Sequence, residues 1–300
     1  MPIDPFWYSV GIVLALLDGF LNNIGILFQK MAINKLPEGK KVTKGLVKNK
    51  TWLFGFFVNG YAPMIFSIPA GLLIGQALLP GLEATGLIWL ALASVRFLKE
   101  RLRASEVIGI FLMVAAAFAL AYSGLGFEPS DYQYSIGSPL FMRIVVFTVV
   151  VALGSLACFL LRRAGGRRKA VLYALDSGLL TVLNNFYFFV ILSIVAHILT
   201  GTFVLTELAM FVVSIAITPP CEILGIHRLQ KAFEFGQASN MRPVQQAPIQ
   251  IGAIFYFFWI YLLLPVSGLI SVILAATAII LIMTSMVLLS KRQASLRVKE

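Results

Sequence analysis

Five acidic side chains, Asp18, Glu83, Asp176, Glu207 and Glu222, fall within or beside long apolar stretches of the chain. A charge at the centre of a bilayer costs roughly 2.5–3.5 kcal/mol on insertion scales, so each needs water, a partner or an ion. Carboxylates beside side-chain amides can bind a hard cation that keeps part of its water shell, or they can take up a proton. The amides recur where the acids do. Asp18 and Asn22 stand four residues apart and share one helix face, with Asn23 next to them. Asn59 lies in the middle of another apolar stretch. Gln76, Pro80 and Glu83 share a face, as do Pro243, Gln246 and Gln250. Asp176 and Asn184 form a stripe, two turns apart along a helix that also carries Asn185. The candidate residues for binding an ion or solute are therefore Asp18, Asn22, Asn23, Asn59, Glu83, Asn184, Asn185, Glu222 and Gln246. Asp18 and Glu83 are the candidate metal ligands, and Asp176 is the candidate for proton transfer or gating.

Simpler roles compete with these. Asn184 and Asn185 either line a site or join helices through hydrogen bonds that contribute about 0.6 kcal/mol each. Glu83 either faces a cavity or reaches the outer headgroups. Asp176 either takes part in transport or pairs with Arg167, Arg168 or Arg228 near the inner surface. Glu207, a turn from the outer interface, is expected to be structural or exposed. Arg143 is expected to snorkel outward to Glu128 or Asp131. His197 and His227 lie near the two interfaces and suit packing or headgroup contact. Trp89 and Trp259 lie deeper than an interfacial aromatic belt, so one of them is a candidate wall of a pathway. In this reading the deep acids outnumber the deep bases, and Arg143 is the only base in an outer half. A cavity so lined attracts cations and disfavours anionic metabolites, which need Arg or Lys clamps.

The elements that must position these residues follow from composition. The chain of 300 residues is 59% apolar and 12% charged, with a mean hydropathy of +0.91. Soluble domains carry roughly 25% charged residues, so a soluble fold, disorder and a collagen-like fibre are excluded. With two cysteines and no metal-ligand spacing, so is a disulfide scaffold. Nine segments have the length a membrane helix needs: 6–33, 52–75, 77–98, 105–125, 139–161, 170–199, 204–227 (extending to 235 at most), 246–264 and 267–290. Asp18 and the lack of a preceding basic residue argue against a cleaved signal in the first. Nine spans put 23 of the 24 basic residues on one side, Arg143 being the exception. Positively charged loops stay cytoplasmic, so the N-terminus is expected outside and the C-terminus inside, in the cell membrane. The net charge of +11 follows from that rule and does not call for nucleic acid.

The sequence also matches itself weakly at a shift of about 162 residues. Asn22-Asn23 falls on Asn184-Asn185, Gly75-Gln76-Ala77 on Gly236-Gln237-Ala238, Pro80 and Glu83 on Pro243 and Gln246, and Ser105 on Ser267. The shift carries the first span onto the sixth, which runs the other way. The chain is thus read as one transmembrane domain, 1–300. It holds a first repeat (1–125), a linking span (139–161), a second repeat of inverted topology (170–290) and a basic tail (291–300). Inverted repeats are characteristic of secondary transporters with a midplane site.

The stretch GQALLPGLEATGLIWLALASVRFLKERLRASEVIG resembles the drug/metabolite transporter superfamily, with Leu98-Lys99-Glu100-Arg101-Leu102 in place of its L-x-E-x-L-like turn. LQKAFEFGQASNMRPVQQAP resembles a second-half segment of the same superfamily. Three features are most similar to the NIPA-type magnesium transporters: the nine-span layout, the Gln29-Lys30 pair after the first span, and the Trp-Leu-x-Gly motif that opens the next span. The pattern departs at Asp18-Gly-Phe-Leu-Asn-Asn, where that family is Ser- and Gly-rich, and at Gln246, where it is aromatic. The resemblance implies an all-α fold of inverted repeats that moves a cation, Mg²⁺ first, with no resident cofactor. A proton-coupled exporter of amino-acid-like, metabolite or drug-like solutes is the alternative. The partners this reading allows are the lipid bilayer, a small cation or solute, and a second copy of the chain in a homodimer. An enzyme has no motif to stand on: HExxH, GxSxG and Walker patterns do not occur.

Overall fold

A computed structural model of the chain describes residues 5–35, 46, 48–74, 79–100, 102–123, 132–163, 168–263 and 268–291. Every regular element among them is helical. In chain order they are α1 (Pro5–Asn34), α2 (Lys50–Gly60), α3 (Met64–Ile74), α4 (Leu79–Glu83), α5 (Gly86–Phe97) and α6 (Ala104–Tyr122). Then follow α7 (Pro139–Arg163), α8 (Lys169–Thr200), a 3₁₀ turn (Leu205–Glu207), α9 (Leu208–Phe235), α10 (Ala238–Phe255), a π-helical turn (Tyr256–Ile260) and α11 (Leu269–Lys291). Six stretches are long and apolar enough to cross a membrane: Phe6–Asn34, Lys50–Gly71, Pro139–Arg163, Lys169–Thr200, Leu205–Phe235 and Leu269–Leu289. Gly86–Phe97 and Ala104–Leu120 are shorter apolar helices.

Two of the expected spans are broken, each for a local reason. Asn49 starts α2 by accepting from the N–H groups of Thr51 (2.9 Å) and Trp52 (3.2 Å). Ten residues on, Tyr61 and Ala62 both donate to Phe57 O, and Pro63, which has no N–H to continue the ladder, opens α3. The 77–98 stretch breaks at Ala84-Thr85. There the Thr85 N–H and hydroxyl both reach Leu82 O, at 3.1 and 2.7 Å. This break leaves Glu83 at the end of a half-helix, against α1. The approach is close: a Cβ on Gly86 would lie 2.1 Å from Gly19 O, and one on Gly19 would lie 2.6 Å from Glu83 O. Only glycine permits such backbone contact.

The helices assemble around two long centres. α1 packs against α2, α3, α4 and α5, and α8 against α7, α9 and α10. α6 and α11 pack on each other, while α10 touches α4, α5, α6, α8 and α11. One large apolar core runs through α1, α5, α6, α8, α9, α10 and α11. Many exposed side chains of α7 and α11 are apolar, among them Val149, Leu153, Ile273 and Ile280, as a lipid-facing surface requires.

Two charged side chains cap helix ends across the bundle. Lys30 Nζ donates to Phe233 O and, at 2.9 Å, to Gly236 O, where α9 ends. Glu100 accepts from the Ala238 N–H (3.0 Å), the Ser239 N–H (3.3 Å) and the Ser239 hydroxyl (2.6 Å), and so starts α10. The acid of the Leu98–Leu102 turn is therefore a buried cap for a distant helix. Arg143 donates to Ile260 O at 2.6 Å. Its expected partners Glu128 and Asp131 lie outside the described residues. Glu207 is fully buried, not exposed. It accepts from the Tyr134 N–H at 2.9 Å and meets His197 Nδ1 at 3.0 Å.

One boundary differs from expectation by eight residues. The 246–264 segment begins as a helix at Ala238, because Ser239, Asn240, Arg242, Gln245 and Gln246 are buried among other helices rather than facing lipid. Hydropathy penalises such residues wherever they point. Such residues are placed in a membrane protein by facing the bundle interior.

Candidate functional site

Between the α1–α5 and α8–α10 groups lies a cavity of about 400 Å³. Asp18 and Asn22 come to it from α1, Asn59 from α2, Glu83 from the end of α4, Asn184 and Asn185 from α8, Glu222 from α9 and Gln246 from α10. Eight of the residues singled out in the sequence thus border one space. Two do not. Asn23 turns the other way, donating to Gly19 O at 2.8 Å in the tight α1–α5 contact. Asp176 is held in a buried ion cluster, 2.6 Å from Arg162 and 3.1 Å from Arg228, with the Ser155 hydroxyl donating to it at 2.5 Å. Arg228 was among its expected partners and Arg162 was not. Both tryptophans also leave the pathway. Trp89 and Trp259 are 53% and 46% exposed and do not border the cavity.

Asp18 and Glu83 both border the cavity, where Gly19 of α1 packs on the Glu83 backbone. Glu222 stands apart and accepts from Asn184 Nδ2 at 2.7 Å. Asn59 Nδ2 donates to Asn22 O at 3.3 Å and accepts from Gln29 Nε2 at 3.3 Å. Gln29 in turn accepts from Gln230, which accepts from Trp52 Nε1 at 3.2 Å. A chain of amides therefore connects the cavity to Trp52.

A base also lies in this site, Arg242, which the sequence reading counts with the basic turn after the seventh span. Arg242 is 6% exposed and borders the cavity. Its Nη2 donates to Asn22 Oδ1 at 2.5 Å and its Nη1 to Gln245 Oε1. Gln245 passes the network on to Ser177 Oγ at 2.8 Å, and Ser177 donates to Gly225 O at 2.7 Å. Counting Arg242 with the cytoplasmic loop followed from its polar neighbours. The internal repeat carried the better signal, since its offset sets Arg242 close to Pro80, inside the third apolar segment.

Several polar atoms on the bordering residues are buried with no partner. Asp18 Oδ2, Asn184 Oδ1 and Gln246 Oε1 are acceptors, and Arg242 Nε is a donor. Unpartnered buried polar groups are costly unless something binds them. No group of three or more His, Cys, Asp or Glu side chains gathers closely enough among the described residues to hold a bare metal ion.

No family model matches the chain, and no solved structure matches it. A curated protein does: mouse NIPA-like protein 2 is 26% identical over 273 residues, covering 82% of this chain. The match spans 65% of the mouse protein's own length, a little under two thirds. Its name is the one that the Trp-Leu-x-Gly opening, the Gln29-Lys30 pair and the layout of apolar segments suggest. The chain is an all-helical, multi-pass membrane protein similar over most of its length to a NIPA-like protein.

Proposed function

We propose that the chain is a secondary transporter that moves a cation, Mg²⁺ first, through the cavity between α1–α5 and α8–α10. The observation that carries this reading is that Asp18, Glu83 and Glu222, carboxyl groups from three different helices, border one cavity. Acids at such depth are expensive unless a cation or water reaches them. A NIPA-like relative favours a transporter over an enzyme.

The transporter is nine spans and two inverted repeats, 1–125 and 170–290, with its N-terminus outside the cell and its C-terminus in the cytoplasm. Features recurring at nearly one offset support the repeat. Glu83 and Gly86 crowd Gly19 as Gln245 and Pro248 crowd Gly178. Asn22 meets Asn59, accepting through its backbone O, and at the matching offset Asn184 meets Glu222, donating through its Nδ2. Lys99 and Leu262, each following a span, are the two non-glycine residues of positive φ among the described residues, at 55° and 51°. The packing of α6 on α11 fits helices related by the repeat axis.

Purified protein in liposomes holding a Mg²⁺ reporter tests the function. Wild type admits Mg²⁺ and Asp18→Asn does not. Equal flux in the two, with both folded, refutes the site. Cysteine at position 131 is labelled from outside sealed cells and cysteine at position 44 is not. Labelling at 44 refutes the orientation.

The second reading is proton-coupled export of a small organic solute, and Arg242 is what favours it. A guanidinium opposite carboxyl groups suits an amphoteric molecule with both a carboxylate and an ammonium group. Flux driven by a pH gradient without added Mg²⁺ selects this reading.

A further inference from the structure

Arg242 is not held as a structural arginine is held. Among the described residues the buried Arg162 sits 2.6 Å from the Asp176 carboxylate, and Arg228 sits 3.1 Å from it. Arg242 is as deeply buried, yet no carboxylate lies within ion-pair distance of it among the described residues. Its bonds go instead to two neutral amides, Asn22 Oδ1 and Gln245 Oε1. It nevertheless borders the same cavity as Asp18, Glu83 and Glu222. A guanidinium in that position supplies positive charge to three carboxyl groups without being locked onto any of them. The bond to Asn22 also ties α10 to α1, on opposite sides of the cavity.

We infer that Arg242 is a built-in competitor of the transported cation: it supplies fixed positive charge to the Asp18, Glu83 and Glu222 cluster and keeps the cation loosely held. The inference rests on the cation-transport reading of this cavity. Its physical basis is direct. A site that carries an ion must bind it well enough to admit it and weakly enough to release it. Acids alone would hold a divalent ion too tightly in a low-dielectric cavity. A permanent cation on a helix wall offsets part of their field. The amides hold that cation short of the carboxylates, so the acids stay open to an incoming ion.

The test is equilibrium binding of Mg²⁺ and Mn²⁺ to purified full-length protein by calorimetry, for wild type, Arg242→Gln and Arg242→Lys, with thermal unfolding as the check on folding. Arg242→Gln should bind the divalent ion about tenfold tighter or more, while Arg242→Lys, which keeps the charge, stays within about threefold of wild type. In liposomes Arg242→Gln should turn over more slowly, because release becomes limiting. Unchanged or weaker binding by a folded Arg242→Gln overturns the competitor role and leaves the cation reading standing. Binding by neither wild type nor Arg242→Gln overturns both. If Arg242→Gln does not fold, Gln245→Ala serves instead. It frees the guanidinium to fall onto the acids and should weaken divalent binding several-fold, and unchanged binding there overturns the inference as well.

Discussion

Two clusters in this protein combine acids with arginines, and each leaves some buried polar atoms without a partner; they differ in what lies beside those atoms. At Asp176 one carboxylate takes contacts from Arg162, Arg228 and Ser155 at 2.5 to 3.1 Å and ties α7, α8 and α9 together. In the cavity three carboxyl groups and Arg242 share a space, with unpartnered atoms on Asp18, Asn184, Gln246 and Arg242. The residue types are the same. What separates a cluster that holds helices together from one built for a ligand is unused hydrogen-bonding capacity beside open volume.

The sharpest way to break this comparison is to make one chemical change in each cluster. Asp18→Asn should reduce Mg²⁺ flux to the level of empty liposomes while thermal unfolding in detergent stays close to wild type. Asp176→Asn should behave in the opposite sense. Removing one partner from a buried charge cluster leaves uncompensated charge, so stability should fall by about 3–5 kcal/mol, read by thermal unfolding, while flux per folded molecule persists. If Asp176→Asn abolishes flux without loss of stability, the two clusters have been assigned the wrong way round.

A smaller effect is expected where the site is positioned rather than formed. Glu100 caps α10, the helix that carries Arg242, Gln245 and Gln246. Glu100→Ala should reduce stability by about 1 kcal/mol, the usual loss of an N-cap. Flux should decline but remain measurable, as a half-time in the liposome assay. The smallest effect belongs to Trp89, whose exposed ring lies outside the cavity. Trp89→Ala should leave flux unchanged and shift stability by no more than about 0.5 kcal/mol. A large loss of flux there would return Trp89 to the pathway.

The cavity residues were legible to different degrees. Asp18, Glu83 and Glu222 stand out because an acid in an apolar stretch is rare. Asn22 and Asn184 stand out because the internal repeat pairs them. Arg242 was hidden by its own company: Asn240, Gln245 and Gln246 lower the local hydropathy and make a buried helix resemble a cytoplasmic loop. Asn23 was indistinguishable from Asn22 by type or position. Only the rotation of α1, fixed by the Gly19–Gly86 contact, turns one toward the cavity and the other away. Asp176 was ambiguous because Arg162 comes to it from a different helix, at a separation that no periodicity reports.

The amino-acid sequence by itself determined that the chain is helical and belongs in a membrane, because apolar length and the scarcity of charge depend on composition alone. It also determined which polar residues need a reason to be there. The tertiary structure decided what that reason is in each case. Whether a buried carboxylate meets two arginines or open volume depends on which faces of which helices oppose one another. Close backbone contacts such as that between Gly19 and Gly86 set those faces, and they act between residues far apart in the chain.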